Sequence, residues 1–121
     1  MTIVVETPSI ETDSADPLSL TVFSKNDCPD CESTKALLRR RGVPFTEINV
    51  EEDTEPRDEF GGLTPLEHVV KNYGRRMPTL VLEDGVFGDW WAGSRPDKLM
   101  ATIKRFTEAE LLIPEDERKS A

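Results

Sequence analysis

Two cysteines, one histidine and one tyrosine are all that 121 residues offer of those residue types. So few cysteines exclude the disulfide scaffold that holds many small secreted domains together. A structural zinc centre needs about four Cys, His or carboxylate ligands, and the only imidazole near the pair in kind, His68, lies far along the chain. No run approaches the roughly 20 apolar residues of a membrane span. Basic residues are also in deficit. With 15 Lys and Arg against 24 Asp and Glu, the net charge is −9, which argues against a nucleic-acid backbone or an anionic membrane as partner. The N-terminal stretch lacks the basic segment and apolar h-region of a secretion signal, so a reducing cytoplasm is the expected setting.

What the chain does have is the placement of its two cysteines. Cys28-Pro29-Asp30-Cys31 puts both thiols within one helical turn. A short apolar strand, Ser19 to Ser24, precedes them, and strong helix formers such as Ala36, Leu37 and Leu38 follow. Strand, tight turn, CxxC and helix is the order of a thiol-disulfide redox site in an intracellular chain. A thiolate does the attacking, and a free cysteine with a pKa of about 8.5 is mostly protonated at neutral pH. A helix N-terminus, with unpaired N–H groups and roughly half a positive charge, favours the anion. Cys28 is placed to attack and Cys31, one turn inside, to resolve the mixed disulfide. Pro29 suits the first helical turn. Lys25 favours a thiolate, whereas Asp27 and Asp30 oppose it. A purely structural disulfide is one alternative, although a bridge over two intervening residues constrains little chain entropy; a docking module whose disulfide never cycles is another.

Taken in order, residues 1–17 read as a flexible acidic extension rich in Thr, Ser and Pro, with an edge strand at Ile3 to Val5 as an alternative. Residues 18–110 form one domain. Its first helix runs from about Cys28 to Arg41 and stops at Gly42, with Arg39, Arg40 and Arg41 complementing the helix dipole. Val43 to Val50 alternates as a second strand. The acidic stretch from Glu51 to Glu59 is a solvated face. Thr64-Pro65-Leu66-Glu67 is a capping box that opens a helix to about Tyr73, and His68 on it is expected to pack rather than catalyse. Thr79 to Leu82 and Val86 to Trp90 make a hairpin around Glu83-Asp84-Gly85. Ser94, with Asp97 three residues on, marks the last helix, which continues to about Glu110 with Leu99, Met100, Ile103 and Phe106 covering the sheet. Residues 111–121 read as a charged C-terminal tail, frayed beyond Ile113. The order βαβ, α, ββ, α predicts an α/β fold with a four-stranded mixed sheet flanked by about three helices.

With these positions in view, residues 18–108 resemble the glutaredoxin branch of the thioredoxin superfamily. Lys25 stands where glutaredoxins carry a lysine before CPxC, and Met77-Pro78 looks like the family's X-Pro, whose peptide bond is cis and packs opposite the CxxC. Trp91-Ala92-Gly93-Ser94-Arg95-Pro96-Asp97 is similar to the W-S-G-F-R-P-[DE] signature of NrdH-redoxins, and Asp53-Thr54-Glu55-Pro56-Arg57-Asp58 to their D-x-E-A-R-D stretch. The resemblance implies a thioredoxin-like, glutaredoxin-type fold. It implies a monomer that needs no bound cofactor, takes electrons from NADPH through thioredoxin reductase and passes them to ribonucleotide reductase. Met77, Pro78, Thr79, Trp91, Gly93, Ser94 and Arg95 are the implied partner-binding residues. The sequence departs from that signature at Ala92 and Ser94, adds a second indole at Trp90, and has CPDC where CxQC is usual. Glutathione is the alternative reductant, with Arg75, Arg76, Gly93, Ser94 and Asp97 as parts of its site.

Overall fold

A computed structural model describes residues 18–85 and 88–118. Strand β1 (Ser19–Ser24) leads to helix α1 (Pro29–Arg41) and strand β2 (Thr46–Asn49). A 3-10 turn (Asp58–Phe60) and helix α2 (Pro65–Asn72) come next, followed by strands β3 (Thr79–Glu83) and β4 (Gly88–Ala92), helix α3 (Pro96–Glu108) and a last 3-10 turn (Glu115–Glu117). The sheet order is β2-β1-β3-β4. β1 runs parallel to β2, with Phe23 opposite Ile48, and antiparallel to β3, with Val22 opposite Leu80. β3 and β4 are antiparallel, with Leu80 opposite Trp91. This is the expected mixed four-stranded sheet with three helices. The proposed strand at Ile3 to Val5 and the start of the expected fourth strand, Val86 and Phe87, lie outside the described residues.

Strand alternation sorts the side chains into two clusters. Leu20, Val22, Leu80, Leu82 and Trp91 pack with Leu38 of α1 and with Leu99, Ile103 and Phe106 of α3. Burying one such side chain contributes about 1.5–3 kcal/mol. Phe23 and Ile48 form the second cluster with Val69 of α2, Met77 and both cysteines. The redox stretch is therefore built into the smaller core, so loosening that core would move the sulfurs.

Local chemistry explains most boundaries. Thr64 caps α2 as a complete capping box: its hydroxyl accepts from the Glu67 N–H at 3.2 Å, and the Glu67 carboxylate accepts from the Thr64 N–H at 2.9 Å. α1 stops at Gly42, whose φ of 76° is left-handed and whose N–H bonds back to Arg39 at 3.2 Å. Four expectations need correction. Pro96, at the first position of α3, makes Arg95 the N-cap, so Ser94 falls one residue short of the capping position. Met100 is 46% exposed; Thr102 takes the buried place beside Leu99, Ile103 and Phe106, which completes the i, i+3, i+4, i+7 face. α3 ends at Glu108, and Glu110, with φ of 60°, turns the chain so that the Leu111 N–H reaches the Phe106 carbonyl at 3.0 Å.

The fourth correction concerns the tail, which is docked rather than frayed through residue 118. Leu111 and Leu112 pack against the main core. The Ile113 N–H donates to the Gly42 carbonyl at 2.7 Å. The Arg118 guanidinium donates to the carbonyls of Ile113 at 2.8 Å and Arg40 at 3.0 Å. The Arg40 carbonyl, left over at the C-terminal end of α1, thus gains a cationic partner, which both the orphan acceptor and the helix dipole favour.

Candidate active site

Cys28 is the N-cap of α1 and Pro29 its first residue, as the sequence predicts. The backbone of Cys28 is extended, with φ of −127° and ψ of 93°, which aims its sulfur back over the first turn. There the Cys31 N–H donates to Cys28 Sγ at 3.1 Å, so an orphan donor of the helix end is spent on sulfur. The two cysteines form a disulfide with Cα atoms 5.2 Å apart. Cys28 is 7% exposed and Cys31 fully buried. Of the two, only Cys28 offers an approach from outside.

The loop that delivers Cys28 is pinned from β2. Val50 N–H donates to the Ser24 carbonyl at 2.8 Å. Asn26 N–H donates to the Glu51 carboxylate at 3.0 Å, while the Asn49 amide donates to Asn26 Oδ1 at 3.0 Å. Asp27 then adopts a left-handed φ of 53°, a conformation Asp tolerates better than most residues. Lys25, Pro29 and Asp30 are exposed around the turn. Asp30 offers its carbonyl to the Ser33 hydroxyl at 3.2 Å.

The Met77-Pro78 peptide is cis, as the resemblance implies. Met77 is buried in the cluster that holds Cys28 and Cys31. Thr79 is fully buried, and its hydroxyl donates to the Arg76 carbonyl at 2.8 Å. Gly93 donates its N–H to the Pro78 carbonyl at 2.8 Å. Its φ is 80°, and a Cβ there would strike the Arg76 side chain that lies across it. Met77 thus shares a core cluster with the disulfide, and Gly93 is joined to the neighbouring Pro78 by a backbone hydrogen bond.

The other expected partner residues fare differently. Trp91 is 3% exposed and sits in the main core, with no hydrogen-bond partner for its indole Nε1 among the described residues. It is therefore not surface, and the exposed indole is Trp90, 45% exposed, tilted against the Tyr73 ring at 5.0 Å. Ser94 and Arg95 are exposed. Arg95 grips its neighbour Asp97 with two hydrogen bonds, Nε to Oδ1 at 3.1 Å and Nη2 to Oδ2 at 3.0 Å. That pairing holds the Asp97 carboxyl below its ordinary value. His68 is half-buried and stacks on Phe60 with centroids 4.0 Å apart. Burial pushes its imidazole below 6.5, with Lys71 adding to the effect, in keeping with a packing role. Arg57 pairs with Asp53 and Glu59, which folds the D-x-E-x-R stretch onto itself.

Sequence reasoning missed one group. Lys35 of α1 is only 7% exposed. Its ammonium donates to Glu47 Oε2 at 2.6 Å and lies 3.1 Å from Glu32 Oε2. The same Glu47 oxygen accepts from the buried Ser24 hydroxyl at 2.8 Å. The available signal was a lysine four residues after Cys31, on the face a helix turns inward.

A sheet of order β2-β1-β3-β4, a CxxC at the N-terminus of the first helix and an X-Pro packed beside it define a thioredoxin-fold thiol-disulfide oxidoreductase. The family model for glutaredoxin matches residues 20–87, and the chain belongs to the glutaredoxin family. Within it the chain is similar to the glutaredoxin-like protein NrdH. It is 32% identical to that of Lactococcus lactis subsp. cremoris over 80 residues, covering 66% of this chain and 93% of the relative. It is 28% identical to that of Escherichia coli over 83 residues, covering 68% and 85%. Among solved structures, the thioredoxin-like protein BC3987 shares the fold, with a TM-score of 0.53 at 24% identity over 69% of this chain and 97% of that one.

Proposed function

We propose that the protein is a dithiol electron donor of the NrdH-redoxin kind, reduced by thioredoxin reductase and oxidised by ribonucleotide reductase. The observation that carries the mechanism is the Cys31 N–H on Cys28 Sγ, with Cys31 itself sealed in the core. After reduction, that N–H and the helix end stabilise negative charge on Cys28. The Cys28 thiolate attacks one sulfur of the partner disulfide, and the partner's other sulfur leaves and is protonated. Cys31 then gives up its proton and attacks Cys28 Sγ, which restores the Cys28–Cys31 disulfide and expels the second partner sulfur as a thiol. Two electrons and two protons pass to the partner. The reductase returns them from NADPH, and no bound cofactor takes part. Lys25, Pro29 and Asp30 border the attacking sulfur. The backbone of Met77 and Thr79, with Gly93, Ser94 and Arg95, borders the place where the partner's segment enters. The protein acts as a cytoplasmic monomer.

Two observations support this reading over a glutathione-dependent one. The NrdH relatives align over most of their own length, and Asp97, which a glutathione site would use, is already occupied by Arg95. Glutathione keeps Arg75 and Arg76, both exposed, as its available partners. The test is a pair of NADPH-coupled assays on one disulfide substrate, supplying either thioredoxin reductase or glutathione with glutathione reductase. Turnover with thioredoxin reductase alone is expected; turnover with glutathione alone would move the protein to the glutathione-dependent glutaredoxins.

A further inference from the structure

The Lys35 group is unusual on its own terms. Lysine is almost never buried without a partner, and this one has gathered a carboxylate from another element. Its position is as informative as its burial. A helical side chain leans toward the helix N-terminus, and the Lys35 ammonium does so, ending 3.1 Å from the carboxylate of Glu32, the residue after Cys31. On the other side Glu47 joins it to Ser24, the last residue of β1 before the loop to Cys28. The ammonium is therefore bracketed by the two residues that begin and end the segment carrying the sulfurs. Burial alone would lower its pKa, but the hydrogen bonds it donates to Glu47 and Glu32 outweigh that and hold it above 10.5. Glu47 mirrors it: burial would raise the carboxyl, whereas Lys35, Ser24 and Arg39 bring it below 4.5. Both groups stay charged at neutral pH.

We infer that Lys35 and Glu47 are positioning residues for the redox pair, a charge couple tied through Ser24 and Glu32 to the two ends of the segment that carries it, whose balance sets how readily Cys28 becomes a thiolate. Neither touches the reacting sulfur, and both act through the electrostatic field at the start of α1. The other charges that surrounding elements bring to this region are Lys25 and Asp27 on the loop, Asp30, Glu32 and Arg39 on α1, Glu51 after β2, and Arg75 and Arg76 before Met77. Lys35 differs from most of these in being removed from solvent, and Glu47, though exposed, is fixed to it at 2.6 Å, so the buried charge of the couple is screened less.

The couple makes a prediction that a brace without an electrostatic role does not. Neutralising the cation and neutralising the anion should move the thiol in opposite directions. The experiment follows alkylation of Cys28 by iodoacetamide as a function of pH in Cys31→Ser protein, with Lys35→Met, Lys35→Arg and Glu47→Gln added singly and with Lys35→Met/Glu47→Gln combined. Lys35→Met should raise the midpoint by about one pH unit and Glu47→Gln should lower it. Lys35→Arg should stay near the parent, and the double variant should fall between the two single ones. The double variant also covers the case in which Lys35→Met, with Glu47 left uncompensated, fails to fold. Midpoints that move the same way, or that stay fixed while melting temperature falls, would overturn the inference. It rests on Cys28 being the attacking thiol, and the parent protein keeps the two ideas apart. An unreactive Cys28 in the parent refutes the proposed mechanism, whereas a reactive Cys28 with unmoved midpoints refutes only the role of Lys35 and Glu47.

Discussion

The two ends of α1 are finished in opposite ways. At its N-terminus the helix leaves the Cys31 N–H to a sulfur that will change its charge and its bonding partner. At its C-terminus the orphan acceptors are closed: Gly42 turns the chain, Ile113 binds the Gly42 carbonyl, and Arg118 reaches over to the Arg40 carbonyl. Reactive chemistry sits where hydrogen-bonding capacity is held ready, and stability is placed where it is used up. One helix thus serves as both a reagent and an anchor, and its two ends should respond to substitution in different observables.

The largest expected effect is at the reactive end. Cys28→Ser should abolish disulfide reduction while the oxidised fold's other contacts persist, as measured by the NADPH-coupled assay and circular dichroism. The closed end should show the reverse. Gly42→Ala places a Cβ 2.8 Å from the Ile113 carbonyl and against the Arg118 guanidinium, in a backbone with φ of 76°. A loss of about 1–2 kcal/mol in denaturant unfolding is expected, with activity per folded molecule unchanged. Arg118→Ala removes two hydrogen bonds from a charged donor and should cost about 1 kcal/mol in the same assay. Equal activity losses at both ends would erase the distinction between them.

A pH-dependent effect comes from the ion pair between the ends. The Glu47 carboxyl is held below its ordinary 4.5. Its stabilisation is therefore complete above the unfolded-state value and is lost as pH falls through the folded-state value. Lys35, held above 10.5, contributes fully below that value and loses its contribution as pH rises through its own folded-state value. Thermal melts of Glu47→Gln and parent protein should converge as pH falls through the folded-state value of Glu47, which lies below 4.5, and separate toward neutrality.

Features written into neighbouring residues were legible in the sequence. The capping box of Thr64 and Glu67, the Cys28 N-cap and the Gly42 stop each involve partners within a few positions. The sheet was legible because its strands alternate and its turns carry Gly, Pro and acidic residues. What stayed hidden depends on partners far apart in the chain. Ser24 meets Glu47 across 23 positions, and Arg118 meets Arg40 across 78, distances at which no local pattern carries a signal. The charges of residues 114–118 also masked Leu111 and Leu112, which anchor that segment to the core. The two tryptophans show the same limit on a smaller scale. Adjacent strand residues face opposite ways, and only pairing with β3, where Trp91 meets the buried Leu80 and Trp90 meets Val81, decides which indole goes inside.

The most direct test of the redox assignment is to trap the intermediate. Cys31→Ser protein, reduced and then mixed with a disulfide substrate, should accumulate a mixed disulfide at Cys28, visible by non-reducing electrophoresis and intact mass and released by dithiothreitol. Formation of that adduct in Cys28→Ser protein instead, with Cys31 as the linked residue, would contradict the account.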